Sequence, residues 1–236
     1  MAYTLAPKTE ALTPYDPVEG EYRVRLDANE SFLLPTDADR EKMAQAAAET
    51  ALNRYPDPLA TRLCEAFAAR YQVKPALVTA GNGSDELISI ILSTFLQKGE
   101  KVLTLSPDFS MYAFYTSITE TPCITLPKKP DMTVDVTAVI DTIRREGVRL
   151  LIFSNPCNPT SVGLPRDGVR RILRETDALV VLDEAYMDFW DQSMLGEVEA
   201  YDNLILLRTC SKALGMAALR VGFAVANPTL TGVIRA

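Results

Sequence analysis

The chain has 236 residues, 47% of them hydrophobic, and 24 basic against 31 acidic side chains give a formal charge of −7. That is enough for one large globular domain or two small ones, and the acidic balance argues against nucleic acid or an anionic membrane as the main partner. No apolar run approaches the roughly 20 residues of a membrane span, and the absence of histidine excludes Ser-His-Asp and Cys-His catalysis and any His-ligated metal.

The first 35 residues are Pro-rich and irregular and read as an arm; they lack the apolar core of a signal peptide, which points to the cytoplasm. Thr36 is placed to cap a helix running to Leu52. "RYPDP" breaks the chain, and a second helix follows with Leu59, Leu63, Phe67 and Tyr71 on one stripe. "ALVTAG" reads as a short strand. "SDELISIILSTFLQKG" reads as a buried helix capped by Ser84 and ended by Gly99. "KVLTL", "CITL", "RLLIF", "ALVVL", "NLILL" and "VGFAVA" are further strands. Helices between them are marked by Val136, Val139, Ile140 and Ile143, and by Val169, Ile172 and Leu173. Apolar strands alternating with helices predict an α/β fold: a three-layer αβα sandwich around a mainly parallel sheet, spanning 36–236. Cys64, Cys123, Cys157 and Cys210 fit neither a zinc knuckle nor a redox pair and read as reduced thiols.

Ligands of such sheets sit beyond the carboxyl ends of the strands, so the residues there carry the chemistry. "GNGSDE" (81–86) opens a helix and suits an anion or a plain tight turn; a dinucleotide fingerprint would want glycine where Glu86 stands. Phe109 could cover a planar ligand or simply pack. "SNPCNPTSVG" fixes a loop that leaves the Asn158 amide free, or is a turn without chemistry. Asp183 ends a fully apolar strand, where an unpartnered carboxylate is costly, and Tyr186 lies three residues on. Lys212 follows another strand end, either snorkelling to water or desolvated as a nucleophile, and Arg220 lies eight residues beyond. Without histidine, the proton carrier of an enzyme here is Lys, Tyr, Cys or a carboxylate. Together the parts meet the needs of pyridoxal 5′-phosphate (PLP): an amine for its aldehyde, a carboxylate for its ring nitrogen, and hydroxyls, helix N–H groups and an arginine for its phosphate.

With "LDANES" (26–31), "RYPDP" (54–58), "GNGSDELI" (81–88), "PDFSMY" (107–112), "NPCNPT" (155–160), "LDEAYMDF" (182–189) and "TCSKALGMAALRVGF" (209–223) in this order, the chain resembles the histidinol-phosphate aminotransferase group of fold-type-I PLP enzymes. The resemblance implies Lys212 as the amine that forms the Schiff base and shuttles the proton, and Asp183 opposite the ring nitrogen. It puts Tyr186 and Asn158 on the ring's phenolic oxygen, Phe109 on the ring face, and Gly83, Ser84, Asp85, Thr209, Ser211 and Arg220 around the phosphate. It implies a homodimer in which Tyr55 reaches the partner's cofactor, and it places Tyr15 and Asn29 near the substrate. No metal is implied. Two departures stand out. Ser161 follows Thr160 where the family has glycine, which predicts altered loop geometry with binding retained. The chain also ends at Ala236, whereas the family runs on through the rest of a small domain, which the arm (1–35) would partly form and which carries arginines for the substrate's anionic end. The expected activity is amino transfer between an amino acid and a keto acid or keto phosphate, in histidine biosynthesis. The alternatives are aromatic-substrate transamination, decarboxylation of an amino-acid phosphate, and a PLP-binding, dimerising module without turnover; a nucleotide-binding α/β protein would leave Lys212, Asp183 and Arg220 without roles.

Overall fold

In the computed structural model, residues 2–10, 12, 13, 16 and 18–236 are described. Seven strands form one sheet: β1 (Val78–Gly81), β2 (Lys101–Ser106), β3 (Cys123–Pro127), β4 (Val148–Ser154), β5 (Leu179–Asp183), β6 (Leu204–Thr209) and β7 (Gly222–Ala226). Their order is β1-β7-β6-β5-β4-β2-β3. β7 runs antiparallel to both its neighbours, while the remaining pairs are parallel. The α/β class and the mainly parallel sheet are as the sequence predicts.

The helices are α1 (Pro7–Glu10), α2 (Asp37–Glu49), α3 (Thr61–Tyr71), α4 (Ser84–Phe95), α5 (Met111–Ile118), α6 (Val136–Glu146), α7 (Arg166–Glu175) and α8 (Pro228–Arg235). Side chains alternate across the sheet because a strand has a period of two. In β4, Leu151 and Phe153 join one core with α3, α6 and α7, while Leu150 and Ile152 join the other with α4, α5 and α8. β6 splits likewise, Leu204 and Leu206 against Ile205 and Leu207. Both faces of the central strands are therefore dry, and each fully buried Leu or Ile contributes about 1.5–3 kcal/mol.

Local expectations meet the structure unevenly. Thr36 caps α2 in a reciprocal box with Asp39, but the helix stops at Glu49 and leaves Leu52 exposed. α3 begins only at Thr61, so Leu59 precedes it; Leu59 and Leu63 face solvent, and Cys64, Phe67 and Ala68 form the buried stripe. Gly83, not Ser84, is the residue before α4, and no side chain caps that helix. α4 ends at Phe95, four residues before Gly99. α5 and α8 are additions to the reading, as is the short α1 inside the arm expected to be irregular. α8 starts on Asn227, whose side chain accepts from the Leu230 N–H, with Pro228 in the first turn. No described helix is long and apolar enough to cross a membrane.

Candidate active site

Because β2, β4, β5 and β6 run parallel, their carboxyl ends share one edge of the sheet. β7 runs the other way, so its first residue reaches that same edge: Gly222 pairs with Gly81 on one side and Thr209 on the other. The reversal is what puts Arg220, just ahead of β7, among residues that follow the other strands.

Asp183 ends β5, almost wholly buried. Its Oδ2 accepts from the Tyr112 hydroxyl at 2.8 Å and its Oδ1 from the Ala185 N–H at 3.0 Å. Burial lifts the carboxyl to about 6 despite these two bonds, and the same burial drives the Tyr112 phenol well above its ordinary value, so it stays a donor. Asp183 has no cationic side chain within salt-bridge distance among the described residues.

Lys212 stands past the end of β6. Its Nζ donates to the Ala28 carbonyl at 2.8 Å and sits 5.9 Å from the centre of the Tyr186 ring. Burial pulls its ammonium below the ordinary lysine value, opposed by the Asp85, Glu30 and Asp183 carboxylates. The Arg220 guanidinium acts in the same direction as burial, so the charges of both Asp183 and Arg220 bear on Lys212. Arm residue Asn29 bridges the loops: its Nδ2 donates to the Tyr186 hydroxyl at 3.0 Å and to Asn158 Oδ1 at 3.3 Å. A cavity of about 750 Å³ opens here, walled by the arm from Leu26 to Leu33, Asn158, Tyr186, Trp190 and Lys212.

On the other flank, the Arg220 guanidinium lies 3.2 Å from Asp85 Oδ2 and 3.5 Å from Ser211 Oγ. Thr209 and Ser211 share a hydroxyl contact at 3.1 Å. Gly83 has φ +85°, and a Cβ there would come within 2.7 Å of the Arg220 guanidinium. A Cβ on Gly222 would meet the backbone of Gly83 and Ser84 at 2.4 Å. Both positions require glycine, one for its dihedral and one for close approach of two backbones. Phe109 packs edge-on against Tyr112, ring centres 5.5 Å apart.

The structure thus gathers Lys212, Tyr186, Asn158 and Asn29 at the cavity, Asp183 with Phe109's neighbour Tyr112 at the buried end of β5, and Gly83, Ser84, Asp85, Thr209, Ser211 and Arg220 at the start of α4. The Asp85 side chain pairs with Arg220, leaving its N–H in the first helical turn as the group available to an anion. Tyr55 is not brought to this edge by any hydrogen bond and its side chain is fully exposed. Tyr15 lies outside the described residues. The motif reading overlooked Tyr112, Asp108 and the Ala28 carbonyl. Tyr112 was within reach of it, standing one helical turn from Phe109 inside "PDFSMY"; a backbone carbonyl leaves no such trace.

Ser161, where the resemblance expects glycine, takes the left-handed conformation itself at φ +60°. Its N–H donates to the Cys157 carbonyl at 2.8 Å, so the turn is kept at the cost of strain. Ser161→Gly is expected to stabilise the chain by about 0.5–1 kcal/mol, raising the thermal midpoint by a few degrees. An unchanged or lower midpoint in calorimetry would refute that reading.

The family Aminotransferase class I and II matches residues 22–236. The chain belongs to it. Among curated class I and II aminotransferases, the chain is 42% identical over 222 residues to the histidinol-phosphate aminotransferase of Clostridium novyi (strain NT), covering 94% of this chain and 62% of the relative. It is 41% identical over 234 residues to that of Chlorobaculum tepidum, covering 98% and 67%. The crystal structure of histidinol-phosphate aminotransferase from Sinorhizobium meliloti in complex with pyridoxal-5′-phosphate superposes with a TM-score of 0.86 at 26% identity, over 96% of this chain and 64% of that one. The chain therefore spans about two-thirds of the length of these aminotransferases.

Proposed function

We propose that this chain is the cofactor-binding large domain, with its arm, of a PLP-dependent transaminase moving an amino group between an amino acid and a keto acid or keto phosphate, histidinol phosphate and its keto partner being the substrate pair. The observation that carries the reading is Asp183: a carboxylate buried at a strand end, held by a neutral phenol and one N–H, and lacking a cationic partner among the described residues. A protonated ring nitrogen supplies the missing charge. The phosphate flank fits too, since Gly83 and Gly222 let Arg220 and the start of α4 approach more closely than a Cβ would allow, α4 has no side-chain cap on its first N–H groups, and hydroxyls and a guanidinium converge there.

When bound, PLP supplies an aldehyde for amines and a ring that withdraws electrons from the attached carbon. The chain's residues do the rest. Ser84 and Asp85 N–H groups, Thr209, Ser211 and Arg220 would hold the phosphate. Asp183, kept in place by Tyr112, would hold the proton on the ring nitrogen. Phe109 would cover the ring face, and Tyr186 and Asn158 would donate to the phenolic oxygen. Lys212, already half desolvated, would offer its amine to the aldehyde and, once displaced by substrate, carry the proton to and from the substrate carbon. Asn29 would lie nearest the substrate. A homodimer accords with this reading: Phe32, Leu34, Leu52 and Tyr55 are all largely exposed, and a second copy would cover them and receive Tyr55 near its phosphate.

The test is chemical. Incubated with PLP, histidinol phosphate and 2-oxoglutarate, the protein is expected to yield glutamate; released CO₂ without glutamate would favour the decarboxylase, and PLP binding without either product would favour a module without turnover.

A further inference from the structure

Lys128 follows β3, and its side chain is 2% exposed. Its Nζ lies 2.7 Å from Cys157 Sγ, 2.9 Å from the Pro107 carbonyl and 3.4 Å from Asp108 Oδ2. A nitrogen so near sulfur is closer than ordinary contact and closer than the roughly 3–3.5 Å of a near-attack arrangement. Cys157 is buried against this amine but forms part of the wall of the cavity that holds Lys212. That wall is the side from which a small oxidant such as a peroxide would approach. Among the described residues no other cysteine has an amine at hydrogen-bonding distance, and burial pushes the thiols of Cys64, Cys123 and Cys210 up, away from the reactive thiolate.

We propose that Lys128 and Cys157 form an oxidative modification site at which a peroxide drives closure of a sulfur–nitrogen cross-link. The sulfur attacks one peroxide oxygen, the O–O bond breaks, and the thiol becomes a sulfenic acid with loss of water. Lys128 then gives a proton to Asp108, and its lone pair attacks sulfur as the S–O bond breaks and a second water leaves. In sum, one S–H, one N–H and one hydrogen peroxide give one S–N bond and two waters; sulfur is oxidised by two electrons and the peroxide reduced. A thiol reductant reopens the bond through a mixed disulfide. Asp108 is built to assist. Its carboxylate accepts from the Ser154 N–H and hydroxyl and the Phe109 N–H, and burial raises it above the ordinary carboxylate range, so it can take the proton. Closure would tether the end of β3 to the loop that carries Asn158, and would remove the ammonium beside the residue that positions Phe109.

The experiment is peptide mapping of the purified chain after titration with hydrogen peroxide, with and without PLP. Expected is a linked peptide pair joining Lys128 and Cys157, lighter than the sum of its parts by about two hydrogens, opened by dithiothreitol, and missing in both Lys128→Arg and Cys157→Ser. Cys157 carried to sulfinic acid without linkage, or left intact while Cys123 or Cys210 oxidises, overturns the proposal. The mapping on the parent chain decides the matter even if a variant fails to fold. Because the readout is a mass, it stands apart from whether the chain transaminates.

Discussion

Treated with PLP and then borohydride, the parent chain is expected to gain one covalent cofactor at Lys212, and Lys212→Ala to gain none. The expectation rests on a side chain that the fold has already drawn out of water. Among the described residues, Lys212 Nζ has one hydrogen-bond partner, the Ala28 carbonyl at 2.8 Å, and a neutral acceptor leaves the amine free to lose its proton. Its pKa is depressed by burial, so the reactive free amine is populated at lower pH than for an ordinary lysine. Adduct formation should therefore rise with pH to a midpoint below that of a solvent-exposed lysine. Lys212→Arg should fail as Lys212→Ala does, since a guanidinium does not deprotonate. Amino transfer in either variant should fall by at least about 10²–10⁴-fold, the range for a lost proton carrier. A stoichiometric adduct at Lys128 or elsewhere in Lys212→Ala would remove Lys212 from its role.

The second large effect has two opposite parts. Asp183 is raised to about 6 in the fold because its charge is buried. A raised carboxyl means that folding favours the protonated form. The chain without cofactor therefore has its full share of stability from this group below about pH 4, and loses it as pH rises through about 6, a difference of about 3 kcal/mol. Asp183→Asn removes the charge and with it that loss. Above pH 6 the variant without PLP should be more stable than the parent, by up to about 3 kcal/mol, and the gap between them should vanish toward pH 4. PLP binding should move the other way, weakening by about 10²–10³-fold as a buried charge pair loses one partner. Denaturant unfolding of both chains from pH 4 to 8, with equilibrium PLP titration, checks both halves. A parent–variant gap that ignores pH, or a variant that binds PLP as well as the parent, would refute the account.

Much of this was legible in the sequence. All seven strands announced themselves, because strands buried on both faces must be apolar throughout, and "RLLIF", "ALVVL" and "NLILL" are. Their ends then pointed to Asp183, Lys212 and the 154–163 loop. Helix limits were less legible: α4 stops at Phe95, four residues short of the Gly99 stop signal, because termination depends on tertiary packing that a periodic pattern does not contain. α5 was hidden for a related reason. "MYAFYTSI" is rich in aromatic and β-branched residues with weak helical preference, and it is held as a helix by packing on β2 and β3. Tyr112 stands one helical turn from Phe109, so seeing α5 would have placed it beneath Asp183. The arm was harder still. Asn29 and Ala28 meet Lys212 and Tyr186 across more than 150 residues, and no local signal encodes such a meeting.

The position of β7 bears on how the molecule is made. β1 has one neighbour in the sheet, and that neighbour is β7. Until Gly222–Ala226 has been made, Val78–Gly81 has no strand to pair with in the sheet. Completing this sheet is therefore expected to need β7 to slip between β1 and β6, a long-range pairing of the kind that slows folding and leaves a strand edge exposed to aggregation in the meantime. Nascent chains halted before Gly222 should accordingly be the ones that depend on chaperones.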